Sequence, residues 1–221
     1  MKGFENLLKK LEYFSYDNEK SDKFYYRKFL VVDNKIIISN NKVMIVLDNI
    51  PKYKNGWYTI KDKKFEETNK CESIAKSFIK ISNQINDYYP REVTIGFDDV
   101  KFPKLKITKN SVFEIKNNKI NFYWNDEENS TIAEYDIIEL SLLDSGINDV
   151  DFPLEQIKKL FEFSDVIKFE QKEDVKQAHK LTLQLDKNKY EVDSIQVLLM
   201  PYNIDISEEY KRDVKSYLGE N

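Results

Sequence analysis

Three times in this chain a run of apolar residues breaks at a short polar pair or triplet and then resumes. "FLVVDNKIIIS" (29–39) breaks at Asp33-Asn34-Lys35, "VFEIKNNKINFYW" (112–124) at Asn117-Asn118, and "LTLQLDKNKYEVD" (181–193) at Asp186-Lys187-Asn188. Asn and Asp tolerate the left-handed backbone that tight hairpin turns demand, so each stretch reads as strand, turn, strand. A chain that repeats this unit is expected to fold largely as antiparallel sheet.

Helical periodicity is clear in three segments. In "MKGFENLLKKLEYF", Phe4, Leu7, Leu8, Leu11 and Phe14 recur at steps of three to four, while Lys9 and Lys10 lie off that stripe. Across 72–86, Ile74, Phe78, Ile81 and Ile85 form the stripe, and Lys76, Lys80 and Gln84 share another face. In "FPLEQIKKLFEF", Pro153 suits a first helical turn; Leu154, Ile157, Leu160 and Phe161 point inward, Lys158 and Lys159 outward. A further short helix is expected over "KDKKFEETNK" (61–70). The acidic stretch "NDEENS" (125–130) and "LLDSGINDVD" (142–151) read as loops. The order of elements predicts an α+β fold: two similar units of antiparallel sheet with helices on one face. Their boundary falls near Lys70–Cys71, giving residues 1–70 and 71–221.

Composition decides which functions can be set aside. Of 221 residues, 41% are apolar, enough for a substantial core. The net charge of −4 argues against a wholly basic nucleic-acid binder, yet allows a local basic face on an acidic body. Cys71 is the only cysteine, so neither an intramolecular disulfide nor a thiolate metal site can form within the chain. His179 is the only histidine, which removes multi-histidine zinc sites and most histidine triads. None of the 5 glycines sits in a G-x-x-x-x-G-K phosphate loop. Asp98-Asp99, Asp126-Glu127-Glu128 and Asp149/Asp151 lie beside loop signals and read as solvated acids. His179 reads as a surface or strand-end residue. No catalytic constellation emerges, so a non-enzymatic protein without a cofactor is expected. The charged, amphipathic start is not a signal peptide, and no apolar run reaches the length of a membrane span. A soluble, cytoplasmic protein with no membrane partner is the expectation.

Near the end, "SIQVLLMPYNI" (194–204) reads as a buried strand that runs straight into Met-Pro. Together with "FPLEQIKKLFEF", "VIKFEQ", "HKLTLQL" and "KYEVDSIQVLLMPYNI", it makes this third of the chain resemble the last domain of a processivity sliding clamp, such as the bacterial DNA polymerase III beta subunit. "LVVDNKIIISNNKVMIVLDNI" followed by "GWYTIKDKKFEE" likewise resembles a clamp domain's paired strands. The length suits the two-domain clamps of bacteriophages and eukaryotes. The chain also runs on after Met-Pro with "DISEEYKRDVKSYLGEN", where the bacterial family usually ends.

The resemblance implies a processivity factor for DNA replication, a homo-oligomeric ring that encircles or tracks duplex DNA. Lysines on ring-lining helices would attract phosphates without reading sequence. The DNA-facing candidates are Lys9, Lys10, Lys76, Lys80, Lys158 and Lys159. It also implies a pocket, lined by Met200, Pro201 and Tyr202, for peptides of DNA polymerase or other clients. Methionine suits a site that must fit several partners. From the residues alone, plainer readings stay open. The lysines could be ordinary solvated helix faces, and Met-Pro a strand end in the core with proline preventing edge pairing. Two other functions also stay open: a non-enzymatic inhibitor or adaptor acting on a nucleic-acid enzyme, and a metal-dependent nuclease using the acidic loops. Past Ile206, Tyr210, Val214, Tyr217 and Leu218 recur at helical steps. A helix lying over the pocket is expected there, and removal of residues 207–221 should strengthen peptide binding or at least not reduce it.

Overall fold

The structure is a computed structural model. It describes residues 2–15, 28–40, 42–50, 53–61, 64–68, 72–96, 111–116, 119–123, 125–126, 131–132, 137–138, 147–164, 166–202, 207–209, 211–212 and 216. The helices are α1 (Lys2–Leu11), α2 (Glu72–Ser82), α3 (Leu154–Phe161) and the short α4 (Lys187–Tyr190). The strands begin with β1 (Phe29–Val32), β2 (Lys35–Ser39), β3 (Val43–Leu47), β4 (Gly56–Lys61) and β5 (Lys64–Thr68). They continue with β6 (Arg91–Gly96), β7 (Val112–Lys116), β8 (Lys119–Tyr123), β9 (Asn125–Asp126), β10 (Thr131–Ile132), β11 (Ile137–Ile138), β12 (Val150–Pro153) and β13 (Val166–Gln171). Last come β14 (His179–Gln184) and β15 (Ser194–Leu199). Antiparallel sheets with a few helices make this the expected α+β class.

Packing divides the chain into two compact units: residues 1–87 with 180–199, and residues 88–179 with 200–221. In this grouping α2 goes with the first unit, because it packs on β2 and β3. The division at residue 70 concerns where a clamp-like repeat begins, which is a separate matter from packing, and it stands as a proposal.

In the first unit the strands run in the order β5-β4-β1-β2-β3-β15-β14. The β1–β2 turn works as the sequence leads one to expect. Asp33 and Asn34 have φ of 48° and 61°, both in the left-handed region, and Val32 pairs with Lys35. Two consecutive positive φ values are the signature of the tight turn whose twist matches a hairpin. β3 is buried at every residue and β2 at every residue but its first, so both faces of these strands are covered. Trp57 of β4 meets Phe78 of α2 edge to face at 5.6 Å. The next residue, Tyr58, points the other way and stacks on Phe65 of β5 at 4.7 Å, beside Tyr53, which in turn stacks on Phe4 of α1. Gly3 allows α1 to lie close to α4: a Cβ there would collide with the carbonyl oxygen of Lys189.

Two sequence expectations fail in this unit. The helix expected at 61–70 is the strand β5, paired with β4 through Ile60 opposite Phe65. Lysine and glutamate favour helix locally, but pairing with β4 and the Phe65–Tyr58 stack decide the outcome. The hairpin expected through Asp186-Lys187-Asn188 does not turn directly into a strand. Asp186 caps α4 by accepting from the Asn188 N–H at 2.9 Å, and β15 begins only at Ser194.

In the second unit, β6 pairs with β13, and a four-stranded sheet runs β11-β8-β7-β12. β7 and β8 pair in register from Val112–Tyr123 to Lys116–Lys119. Their turn, Asn117-Asn118, lies outside the described residues. Leu154, Ile157, Leu160 and Phe161 of α3 are buried as expected, and the helix packs on β12 and β7. Pro153 is the last residue of β12 and the N-cap of α3, not part of its first turn, with ψ of 114°. Asn125–Asp126 and Val150–Asp151, expected in loops, belong to β9 and β12. No helix among the described residues is long and apolar enough to cross a membrane.

Candidate functional site

Each clear helix presents its lysines away from its apolar stripe. On α1, Phe4, Leu7, Leu8 and Leu11 are buried, Lys9 is half-buried and Lys10 is exposed. On α2, Lys76 and Lys80 are exposed, one turn apart, while Phe78 is buried against Trp57. The α2 stripe is narrower than its spacing suggests: Ile81 is 41% exposed. On α3, Lys158 and Lys159 are half-buried, and Lys159 Nζ donates to Glu162 Oε1 at 2.9 Å. That local ion pair reduces what Lys159 can offer an external phosphate. α1 and α2 belong to the first unit, α3 to the second.

β15 buries Ile195, Val197, Leu198 and Leu199. Burial then stops: Met200 is 42% exposed, and Pro201 and Tyr202 are half-buried. Proline cannot donate to a sheet edge. The next residue can, and the Tyr202 N–H donates to the Asp151 carbonyl of β12 at 2.8 Å.

That hydrogen bond leads to a cluster that sequence reasoning missed. Glu114 of β7 stands directly opposite Asp151 of β12. Lys211, only 5% exposed, donates to Glu114 Oε1 at 2.8 Å and Asp151 Oδ2 at 2.9 Å, and pairs with Glu208 at 2.6 Å. Ser207 Oγ donates to the same Asp151 oxygen at 2.6 Å. The second oxygen of Glu114 accepts from Asn121 Nδ2 at 2.6 Å and Tyr123 Oη at 3.1 Å. Burial alone would raise the Glu114 pKa; the hydrogen bonds from Lys211, Asn121 and Tyr123 and the Lys211 charge outweigh it and hold the carboxyl below the usual range. Burial disfavours charge on Lys211 too, but hydrogen bonds to Glu114, Glu208 and Asp151 push its pKa above the usual lysine value. Lys211 is therefore a fixed cation and cannot serve as a base.

Glu114, Asp151 and Glu208 each offer an oxygen within 4.8 Å of the others, a spacing that a metal ion could use. The Lys211 ammonium already supplies the positive charge among them, so this cluster gives the nuclease reading no support. Asp149 is exposed. Asp98, Asp99, Glu127 and Glu128, like Cys71, lie outside the described residues. Two signals in the sequence could have exposed the cluster: an acid inside the apolar run "VFEIK", and the Glu208–Lys211 spacing of one helical turn. In the tail, residues 207–209, 211–212 and 216 are helical, and Tyr210, Val214, Tyr217 and Leu218 lie outside the described residues.

His179 starts β14 and is not on the surface: it is 0% exposed. Its ring sits 5.5 Å from the Phe152 ring and 5.6 Å from Phe169. Nε2 lies 3.1 Å from the Val175 carbonyl, which makes it the protonated nitrogen, while buried Nδ1 has no partner among the described residues. Burial pushes its pKa down to about 4, against the opposing hydrogen bond to Val175. It is a neutral core residue with no catalytic neighbour among these contacts.

No family model matches the sequence, and no curated protein does. The fold, however, has solved counterparts. The DNA polymerase sliding clamp of Pseudomonas aeruginosa superposes with a TM-score of 0.58 at 8% identity, over 91% of this chain and 64% of the clamp. The beta subunit from DNA polymerase of Streptococcus pyogenes gives 0.51 at 12% identity, over 90% of this chain and 64% of that one. The Helicobacter pylori beta clamp bound to a DNA ligase peptide gives 0.51 at 10%, over 90% and 63%. The chain thus spans less than two thirds of the length of these clamps. Identity so low speaks to architecture and not to activity. By fold, then, this chain resembles the DNA polymerase sliding clamps.

Proposed function

We propose that the chain is a sliding-clamp-like processivity factor: it encircles or tracks duplex DNA through lysine-bearing helices and docks polymerase or other client peptides. The observation that carries this reading is the match to sliding clamps over 91% of the chain. The 64% share of the clamp that it covers is close to what two of three equal domains would make up. A ring assembled from copies of this chain would then supply the enclosure. Lys10, Lys76 and Lys80 are exposed on their helices, as phosphate contacts require, and Lys9, Lys158 and Lys159 are partly so. Met200 stands clear of the strand core with Pro201 and Tyr202 beside it, and a clamp of this fold has been solved with a ligase peptide bound. The role needs no catalytic group.

Low-salt association with duplex DNA tests the lysines. Changing Lys76, Lys80, Lys158 and Lys159 to Glu should lower it by about a hundredfold or more while melting stays near that of the parent, since each lost phosphate contact also removes counterion release. Unchanged association in the folded variant would assign these lysines to plain solvent-facing roles. Absence of DNA affinity in the parent, with tight binding to one protein, would favour an inhibitor or adaptor. Solution mass tests the ring directly.

A further inference from the structure

Glu114 and Asp151 occupy directly opposed positions on paired strands, and both are nearly buried. Like charges so placed push two strands apart, and low polarity around them strengthens the effect. The cation that resolves this conflict does not come from either strand. It comes from Lys211, 97 residues beyond Glu114 and 60 beyond Asp151. β12 stands at the end of its sheet, and the backbone of Asp151 is also where Tyr202 is tied. One residue therefore carries both attachments: its side chain is clamped by Lys211 and Ser207, and its carbonyl holds Tyr202.

We propose that Lys211 is a positioning residue for the Met200-Pro201-Tyr202 docking site. By neutralising Glu114 and Asp151 it holds β12 against β7, and so fixes the carbonyl that sets the backbone at Tyr202. This rests on the reading of Met200, Pro201 and Tyr202 as the client site, and it identifies Ser207 and Lys211 as a fixed strap that supports the site. The consequence reverses the sequence expectation for the tail: removing it should weaken peptide binding.

The test uses the whole chain and follows hydrogen exchange at the Tyr202 amide, with the amides of β13 as a reference in the same unit. Lys211→Met keeps the stem and removes the charge. It should speed Tyr202 exchange by about tenfold more than it speeds exchange in β13. It should also weaken binding of a short synthetic peptide carrying two leucines and a phenylalanine by about tenfold. Adding Glu114→Gln to Lys211→Met removes the repulsion and should bring Tyr202 protection back to within about threefold of the parent. Exchange at Tyr202 that merely keeps step with β13 would overturn the proposal, since Lys211 would then act on the whole unit alike. If Lys211→Met does not fold, a folded double variant with a protected Tyr202 supports the proposal; a double variant that also fails to fold overturns it. A parent that binds no peptide, together with selective loss at Tyr202, would discard the client site and keep the strap. Equal peptide binding by parent and Lys211→Met would discard the positioning role and keep the client site.

Discussion

The two units solve the problem of burial differently. Among the described residues of the first unit, the buried polar side chains are serines: Ser15, Ser39 and Ser82. The second buries Glu114, Asn121, Gln171, His179 and Lys211. Gln171 is bound at both ends of its amide to the backbone of Asn148, accepting at 2.7 Å and donating at 2.9 Å. A serine loses little when its hydroxyl finds a nearby carbonyl, as Ser15 does at Glu12. A buried carboxylate or ammonium loses its hydration outright and is tolerable only when every partner is present. The first unit is therefore held by apolar packing with broad tolerance. The second depends on a few groups being present together, in one charge state.

The sharpest way to break this contrast is to remove one member of the ionic cluster. Lys211→Met should destabilise the second unit by about 3–5 kcal/mol, because Glu114 is left buried and uncompensated. Protection of β2 and β3 amides in the first unit should hardly change. Equal losses in both units, seen by hydrogen exchange, would mean that the contrast has no energetic content.

Acid sharpens it further. His179 is held neutral, with a pKa of about 4 against an ordinary 6.5. Below pH 6.5 the unfolded chain takes up a proton that the folded one refuses, so the stabilisation is present above that pH and fades toward pH 4. Two to three pKa units correspond to about 3 kcal/mol. Glu114, also lowered, adds loss of the same sign once the pH falls below the ordinary carboxylate range. Stability of the second unit, followed from pH 7 to pH 4, should fall in this window while the first unit changes less. His179→Gln keeps a donor for Val175 and does not titrate, so its slope between pH 6.5 and 4 should be much flatter; an unchanged slope would assign the effect to other groups.

The smallest effect belongs to the apolar unit. Ile38 is 0% exposed on β2, and Ile38→Val removes one methylene for about 0.5–1.5 kcal/mol. The loss should be the same at pH 7 and pH 5. A marked pH dependence would mean that charge reaches into the first core as well.

What could be read from the sequence follows the range of the interaction responsible. The stripe Phe4-Leu7-Leu8-Leu11 and the Asp33-Asn34 turn are local, and both were legible. β5 was misread because "KDKKFEETNK" carries helix-forming residues, while its strand character comes from β4. His179 was placed too near the surface because its neighbours Phe152 and Phe169 lie well before it in sequence. The ionic cluster showed only in fragments, the acid inside "VFEIK" and the Glu208–Lys211 spacing, because nothing local connects residue 114 to residue 211. The exposure of Met200 was implied only by the resemblance and not by its neighbours, since the apolar pattern of β15 runs into it without a break.

The two-unit division also bears on how the chain is made. The first unit needs residues 180–199, and the second needs residues 200–221. Synthesis runs from the N-terminus, so the first unit cannot complete its packing until residues 180–199 have emerged, nor the second until residues 200–221 have. β3 waits for β15, and Glu114 waits for Lys211, each in a half-built state that exposes unpaired strand edges or unneutralised acid. Domain-by-domain maturation during translation, the usual protection for a growing polypeptide, is closed to this topology. Nascent chains halted before residue 194 should rely on chaperones far more than the released protein does.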